Sequence, residues 1–277
     1  MTSCRAASAA VGEPLLGSAL TESKLLIVEQ PGPWGRDATF ENRMARAPAD
    51  SLRAFASDPT ARLLMARRGR DFATEGMRHW WRVDATPTAV SATSGMLPAS
   101  DPLTPDALAG NSPAAQILFI CTNSKRDRCC AEVGRKLFRA LCDARVWQIS
   151  HIKGHRFAPT ALRLSDGIML GRLTTDAARD ALEGRHLAAS IVRGRIGRSA
   201  GEQVAEWDVM TSAGVPLADL STRATPEGVV VSTSARRWLV ELREHRSAPR
   251  PPSCGSAAEP ATFFTSERIT ELGPVPS

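Results

Sequence analysis

The amino-acid sequence predicts an α/β fold in which helices flank a mixed β-sheet. Short apolar runs typical of buried strands occur at 24–29 (KLLIVE) and 116–120 (QILFI), and each run leads into a polar loop. Stretches with helical spacing of apolar residues alternate with such runs. The 277 residues are 43% hydrophobic and 23% charged, which is typical of a globular protein large enough for one or two domains.

The first 22 residues are small and polar, and we expect them to form a flexible leader with little structure. The first ten contain one arginine and no following apolar block, which argues against a secretory signal. No apolar run reaches the roughly 18 residues of a membrane-spanning helix. We therefore expect a cytoplasmic protein, in which six cysteines indicate metal or redox chemistry rather than disulfides.

An N-terminal α/β unit is predicted over residues 23–85. Its strand candidates are the apolar runs at 24–29, 61–66 and 80–83. Residues 37–56 have helical composition, although Pro48 ends any first helix there. The following segment, 86–113, is rich in Pro, Ser, Thr, Ala and Gly and resembles a linker.

The second α/β unit is predicted over residues 114–195. Its elements in order are a strand at 116–120, an amphipathic helix at 131–144, a strand at 145–149, a β-hairpin at 162–173 and a helix at 175–183. The hairpin turns at Asp166-Gly167, and the last helix begins after a Thr cap and ends at Gly184. This order is the thioredoxin-like arrangement. We expect the N-terminal unit to be a second, degenerate copy of it.

A C-terminal extension is predicted over 196–255, with a helix at 199–211, a strand at 228–232 and either a strand or a helix at 236–243. Residues 256–277 are expected to be an irregular tail. The net charge is +6, but the arginines are scattered, with few aromatics between them, which argues against nucleic-acid binding. A basic face would instead suit an acidic redox partner protein.

Two pairs of soft ligands follow strands of the second unit. Cys121 and Cys130 flank a basic polar loop, and His151 and His155 flank Gly154, whose backbone freedom lets the two rings converge. Binding loops of open α/β sheets emerge at such strand ends. Thiolates suit copper(I), zinc and iron–sulfur clusters, and imidazole is accepted by several of these metals. The pattern predicts a metal centre and leaves the metal open.

Three ordered blocks resemble the sucrase/ferredoxin-like family across residues 24–255. They are LLIVEQPGPWGRDA, ICTNSKRDRCCAEVGRKLFRAL and SHIKGHRFAPTALRLSDGIMLGRL. The resemblance implies a thioredoxin-like protein with a [2Fe–2S] cluster held by Cys121, Cys130, His151 and His155. Cys129, beside Cys130, leaves the second thiolate ambiguous, and the family's C-x8-C spacing favours Cys130.

We therefore expect an electron-transfer protein rather than a substrate-converting enzyme. No carboxylate pair can be placed as sugar hydrolysis would require. A structural zinc module using the same four residues remains an alternative, as does a thioredoxin-like thiol oxidoreductase, although such enzymes use a C-x-x-C pair. Of the other cysteines, Cys142 is expected in the core, and Cys4 and Cys254 are expected to be incidental.

Overall fold

The computed structural model describes residues 2–69, 75–104, 106–108 and 112–274. Within them, the α-helices are α1 (Cys4–Ala10), α2 (Arg46–Ser51), α3 (Arg53–Ser57), α4 (Arg135–Leu141), α5 (Thr175–Leu182) and α6 (Ala200–Ala213). The strands up to the middle of the chain are β1 (Lys24–Glu29), β2 (Ala61–Arg67), β3 (Met77–Ala85), β4 (Val90–Pro98), β5 (Ser112–Pro113), β6 (Leu118–Cys121) and β7 (Val146–Ile149). The remaining strands are β8 (Ala161–Arg163), β9 (Ile168–Leu170), β10 (Val192–Arg195), β11 (Ser221–Thr225), β12 (Gly228–Ser232), β13 (Arg236–Arg246) and β14 (Thr262–Pro274).

The described strands form a ten-stranded mixed sheet and a four-stranded antiparallel sheet. The large sheet has the order β10-β9-β8-β6-β7-β2-β1-β3-β4-β5, and the small one has the order β11-β12-β13-β14. The α/β fold with a mixed sheet is thus confirmed. No helix of the described part of the chain has both the length and the apolar composition needed to cross a membrane.

The large sheet consists of two halves with the same plan. In one half β1 is parallel to β2 and antiparallel to β3, which pairs with β4. In the other half β6 is parallel to β7 and antiparallel to β8, which pairs with β9. The halves join where β2 pairs antiparallel with β7, with Ala66 opposite Ile149. This pairing joins the two halves into one continuous sheet.

The central strands are apolar because both of their faces are covered. All four residues of β6 and five of the six in β1 are buried, as expected for strands inside a sheet flanked on both sides. One core cluster spans the two halves, and the rings of Trp81 and Trp147 meet edge to face with their centroids 4.6 Å apart. The two halves therefore pack as one body.

Three segments are more structured than we expected. The predicted leader contains α1 and fully buries Cys4. The predicted linker contributes β4 and β5 to the large sheet, with residues 105 and 109–111 lying outside the described part. The predicted irregular tail contains β14, which pairs along β13, with residues 275–277 outside the described part. β14 is largely exposed, so it lacks the apolar alternation that would have indicated a strand.

The helix predicted at 131–144 begins instead as a π-helical turn, Cys130–Gly134, and continues as α4. It ends at Cys142, whose backbone adopts the left-handed conformation with φ 45°. Cys142 is exposed, so its predicted place in the core is wrong. The terminal left-handed residue rotates its side chain out of the apolar stripe formed by Leu137 and Leu141.

Candidate metal centre

The two ligand loops meet because they leave neighbouring parallel strands. β6 ends at Cys121, and β7, paired with it in parallel, ends two residues before His151. Parallel strands bring their carboxyl ends to one edge of the sheet. The loop after Cys121 returns to the same edge at Cys130, the first residue of the π-helical turn.

Two glycines permit the close approach of these loops. A β-carbon at Gly134 would overlap the Cys121 carbonyl oxygen. Gly154 has φ 68°, and a β-carbon there would overlap the guanidinium of the buried Arg193. Gly154 caps the short 3-10 turn His155–Phe157, so the histidines lie on a loop and turn rather than on one helix face.

The structure brings three of the four predicted ligands into one group and places the fourth, His155, beside His151. One ligand atom from each of Cys121, Cys130 and His151 lies within 4.8 Å of the others. His155 Nδ1 lies 3.3 Å from His151 Nε2. The thiols are inaccessible, since Cys121 and Cys130 are 0% and 1% exposed. His151 Nδ1 and His155 Nε2 are buried and make no hydrogen bond within the described residues.

The surroundings favour the metal-binding protonation state at Cys121 and His155, and the protonated thiol at Cys130. A hydrogen bond from Cys130 holds the pKa of Cys121 well below its usual range, against the effect of burial, and His151 adds to the lowering. The same hydrogen bond, together with burial, raises the pKa of Cys130. Burial lowers the pKa of His155, although Asp127 opposes the change. A thiolate and a neutral imidazole are the forms that bind metal.

Arg193 supplies positive charge behind the site. Its guanidinium donates to the Lys153 carbonyl at 3.3 Å and to Ser18. Burial lowers its pKa, whereas the nearby thiolates of Cys121 and Cys130 raise it. A guanidinium nonetheless keeps its proton at neutral pH, so Arg193 offsets the negative charge that two thiolates bring to the site.

The adjacent Cys129 faces a different neighbourhood from Cys130. Its Sγ lies 3.5 Å from the Sγ atoms of both Cys4 and Cys254, and those two sulfurs are also 3.5 Å apart. Asp127 joins the group, with a carboxylate oxygen within 4.8 Å of each sulfur. Our expectation that Cys4 and Cys254 are incidental missed this cluster. Cys4 and Cys254 each lie 125 residues from Cys129 in the sequence, so no local spacing links the three cysteines. The Cys129-Cys130 doublet was the one sequence feature that pointed to a second group of thiols.

Comparison with models of known protein families shows the family of this chain. A family profile described as sucrase/ferredoxin-like matches residues 15–196, which is more than half of the chain. The chain belongs to the sucrase/ferredoxin-like family. The matched range of this family member contains Cys121, Cys130, His151 and His155, whereas Cys4 and Cys254 lie outside it. A search of curated proteins and a search of solved structures gave no match.

Proposed function

We propose that this sucrase/ferredoxin-like protein transfers electrons through a [2Fe–2S] cluster held by Cys121, Cys130, His151 and His155. The observation that carries the proposal is the grouping of Cys121, Cys130 and His151 at one sheet edge, with the His155 ring in contact with His151. Such a cluster, when bound, accepts and releases one electron at a potential raised by the two imidazole ligands. The donor set fits this group because thiolates and imidazoles are its known protein ligands.

The sheet topology supports a thioredoxin-like assignment for both halves. Each half has two parallel strands followed by an antiparallel pair, in the order fourth, third, first, second. The β6–β9 half has α4 between its parallel strands and α5 after its hairpin. The β1–β4 half has the short α2 and α3 between its parallel strands. We infer that the second half carries the cluster and that the first is a degenerate copy without ligands.

Burial of the sulfurs favours an electron carrier over a thiol oxidoreductase. A thiol–disulfide enzyme must present a thiolate to another protein's disulfide, but Cys121 and Cys130 are almost entirely inaccessible. His151 is partly exposed and lines a pocket of about 150 Å³ together with Arg36, Arg62 and Arg126. We infer that electrons enter and leave beside His151, and that the arginines face an acidic redox partner in the cytoplasm.

Electron paramagnetic resonance of the dithionite-reduced full-length protein tests the proposal. We expect a spin-half signal, with equal iron and acid-labile sulfide, and loss of both iron and signal in Cys121→Ser and His151→Ala. Cys142→Ser is the matched control, because Cys142 is exposed and free. Its signal should equal that of the unchanged protein. A protein that binds no iron or sulfide after anaerobic reconstitution would contradict the proposal.

A zinc site in the same four residues is the second candidate. The 3.3 Å approach of the two imidazoles also suits a single ion, and zinc accepts two thiolates and two imidazoles in a closed tetrahedron. One zinc per chain, no iron, and loss of that zinc in both Cys121→Ser and His151→Ala would decide for it.

A further inference from the structure

Three cysteines from distant parts of the sequence lie together in one mostly buried cluster. Cys4 begins α1, Cys129 precedes the π-helical turn, and Cys254 lies in the segment between β13 and β14. Cys4 and Cys129 are 0% and 3% exposed, and Cys254 is partly buried. Their three Sγ atoms form a triangle with every side 3.5 Å long.

A disulfide does not account for this triangle, and the thiol hydrogen bonds along its sides stabilise it little. A disulfide brings two sulfurs to about 2.05 Å, and all three thiols are free. Thiols are weak donors and weak acceptors, so three of them gain little by meeting away from water. Zinc–sulfur bonds of about 2.3 Å in a tetrahedron place the sulfurs about 3.8 Å apart, which is close to the observed separation.

Asp127 provides a carboxylate that is already oriented toward the triangle. Its Oδ1 accepts the Cys129 backbone N–H at 2.8 Å, and its Oδ2 accepts the Cys254 backbone N–H at 3.1 Å. Both oxygens lie 3.9 Å from Cys4 Sγ. The side chain is 1% exposed, and its other neighbour is His155 Nε2 at 3.6 Å. The carboxylate therefore supplies a fourth, oxygen ligand.

We propose that Cys4, Cys129, Cys254 and Asp127 bind a zinc ion. Three thiolates and one carboxylate satisfy the four-coordinate closed site that structural zinc prefers. Binding would release the three thiol protons to solvent as the sulfur–zinc bonds form. Zinc is favoured over an iron–sulfur cluster here because the triangle is too tight to surround several metal atoms.

A zinc ion at this site would hold α1 and the segment between β13 and β14 against the loop that ends at Cys130. Ion pairs already join the same regions, since Glu13 contacts Arg156 beside the histidines and Arg250 near Cys254. The proposal does not rest on the [2Fe–2S] cluster, because Cys129 and Cys130 belong to separate groups. The two sites are nonetheless neighbours, since Asp127 also contacts His155 Nε2.

Zinc K-edge X-ray absorption of the full-length protein tests the site, because the measurement does not detect iron. After anaerobic purification with added zinc, we expect one zinc per chain, with three sulfur neighbours at about 2.3 Å and one oxygen at about 2.0–2.2 Å. Metal analysis of four single variants then separates the two centres. Cys129→Ser and Cys254→Ser should lose at least about tenfold in zinc affinity while keeping iron. Cys130→Ser should lose iron while keeping zinc, and Cys142→Ser should keep both.

Several outcomes would overturn the zinc site. Unchanged zinc affinity in both Cys129→Ser and Cys254→Ser, or two imidazole neighbours in the absorption spectrum, would place the zinc elsewhere. Failure to take up zinc, or uptake of copper(I) in its place during competition, would refute the assigned metal. If Cys129→Ser does not fold, the partly exposed Cys254 decides the matter, with circular dichroism checking its serine variant. Loss of iron alone in Cys129→Ser or Cys254→Ser would contradict the zinc site as well, because these variants should lose zinc and keep iron.

Discussion

Gly134 lies one turn after Cys130, where the π-helical turn packs directly on the Cys121 carbonyl. A β-carbon at position 134 would overlap the Cys121 carbonyl oxygen, which belongs to the backbone and cannot rotate away as a side chain could. The loops that carry Cys121 and Cys130 would therefore have to move apart. We expect Gly134→Ala to destabilise the fold by about 1–3 kcal/mol, as overpacking usually does, and to lower bound iron. Chemical denaturation and iron analysis after reconstitution measure the two effects.

Gly184→Ala is the matched control for this substitution. Gly184 has φ 69° and no atom near the position of a β-carbon, so alanine there costs about 1–2 kcal/mol through backbone strain alone. We expect this variant to lose similar stability and to bind iron normally. Equal iron content in the two variants would show that the Gly134 contact does not position the ligands.

The cysteine doublet shows how far residue types alone can predict a site. Cys121, Cys130, His151 and His155 were named from their types and spacing. The first three form one group, and His155 contacts His151. Cys129 and Cys130 are adjacent at the start of the π-helical turn, yet their side chains join different groups. The partners of Cys129, which are Cys4 and Cys254, could not be predicted, because they come from segments of the sequence that carry no periodic pattern.

At the scale of elements, Glu13 holds the N-terminal segment against the histidine loop and the C-terminal segment. Its side chain is 3% exposed and pairs with Arg156 at 2.7 Å and with Arg250 at 2.6 Å. Burial alone would raise the carboxyl pKa, but the two arginines outweigh burial and leave the pKa below its ordinary value of 4.5. Folding therefore favours the ionised carboxylate.

Glu13→Gln should destabilise the protein in a pH-dependent way. Because the folded pKa is depressed, the stabilising contribution is present above pH 4.5 and disappears as pH falls through the lower folded pKa. We expect a loss of about 3 kcal/mol at pH 7, typical of breaking a buried ion pair, that shrinks below pH 4.5. Urea unfolding at several pH values measures it. Exposed Glu259 offers a control, and Glu259→Gln should change stability little at any pH.

The elements that could be predicted were those with one strong apolar pattern. β1 and β12 match their predicted bounds, and α5 and α6 lie within about two residues of theirs. None of the residues of β14 whose burial is described is buried, and its place is set by backbone pairing with β13. Such pairing depends on the partner's position in space, which no local pattern contains.

At the scale of the whole molecule, the joining of the two halves could not be predicted from either half. β2 and β7 meet through two residue pairs, Ala66 with Ile149 and Arg67 with Gln148. Their shared core depends on aromatic contacts such as that between Trp81 and Phe119, whose centroids are 5.0 Å apart. A separate N-terminal α/β unit was expected, but the edge at which the two halves of the sheet pair was not.

At the scale of the whole molecule, positive charge beside His151 should also govern electron transfer. Lys125 and Arg126 are exposed in the loop between Cys121 and Cys130, and Arg126 lines the pocket beside His151. A basic site attracts anionic oxidants and repels cationic ones. We expect the double variant Lys125→Glu/Arg126→Glu to slow oxidation of the reduced protein by ferricyanide on the order of tenfold at low ionic strength. It should speed oxidation by hexaamminecobalt(III).

Both changes should diminish as added salt shortens the screening length to about 10 Å at 0.1 M. Stopped-flow absorbance of the reduced protein against each oxidant measures them. The control is Arg223→Glu/Arg246→Glu, which alters the net charge equally on exposed positions of the four-stranded sheet. Equal responses in the two double variants would mean that net charge, and not the basic loop beside His151, governs the encounter. Electron exit at His151 would then lose its electrostatic support, because only a local field distinguishes one face of the molecule from another.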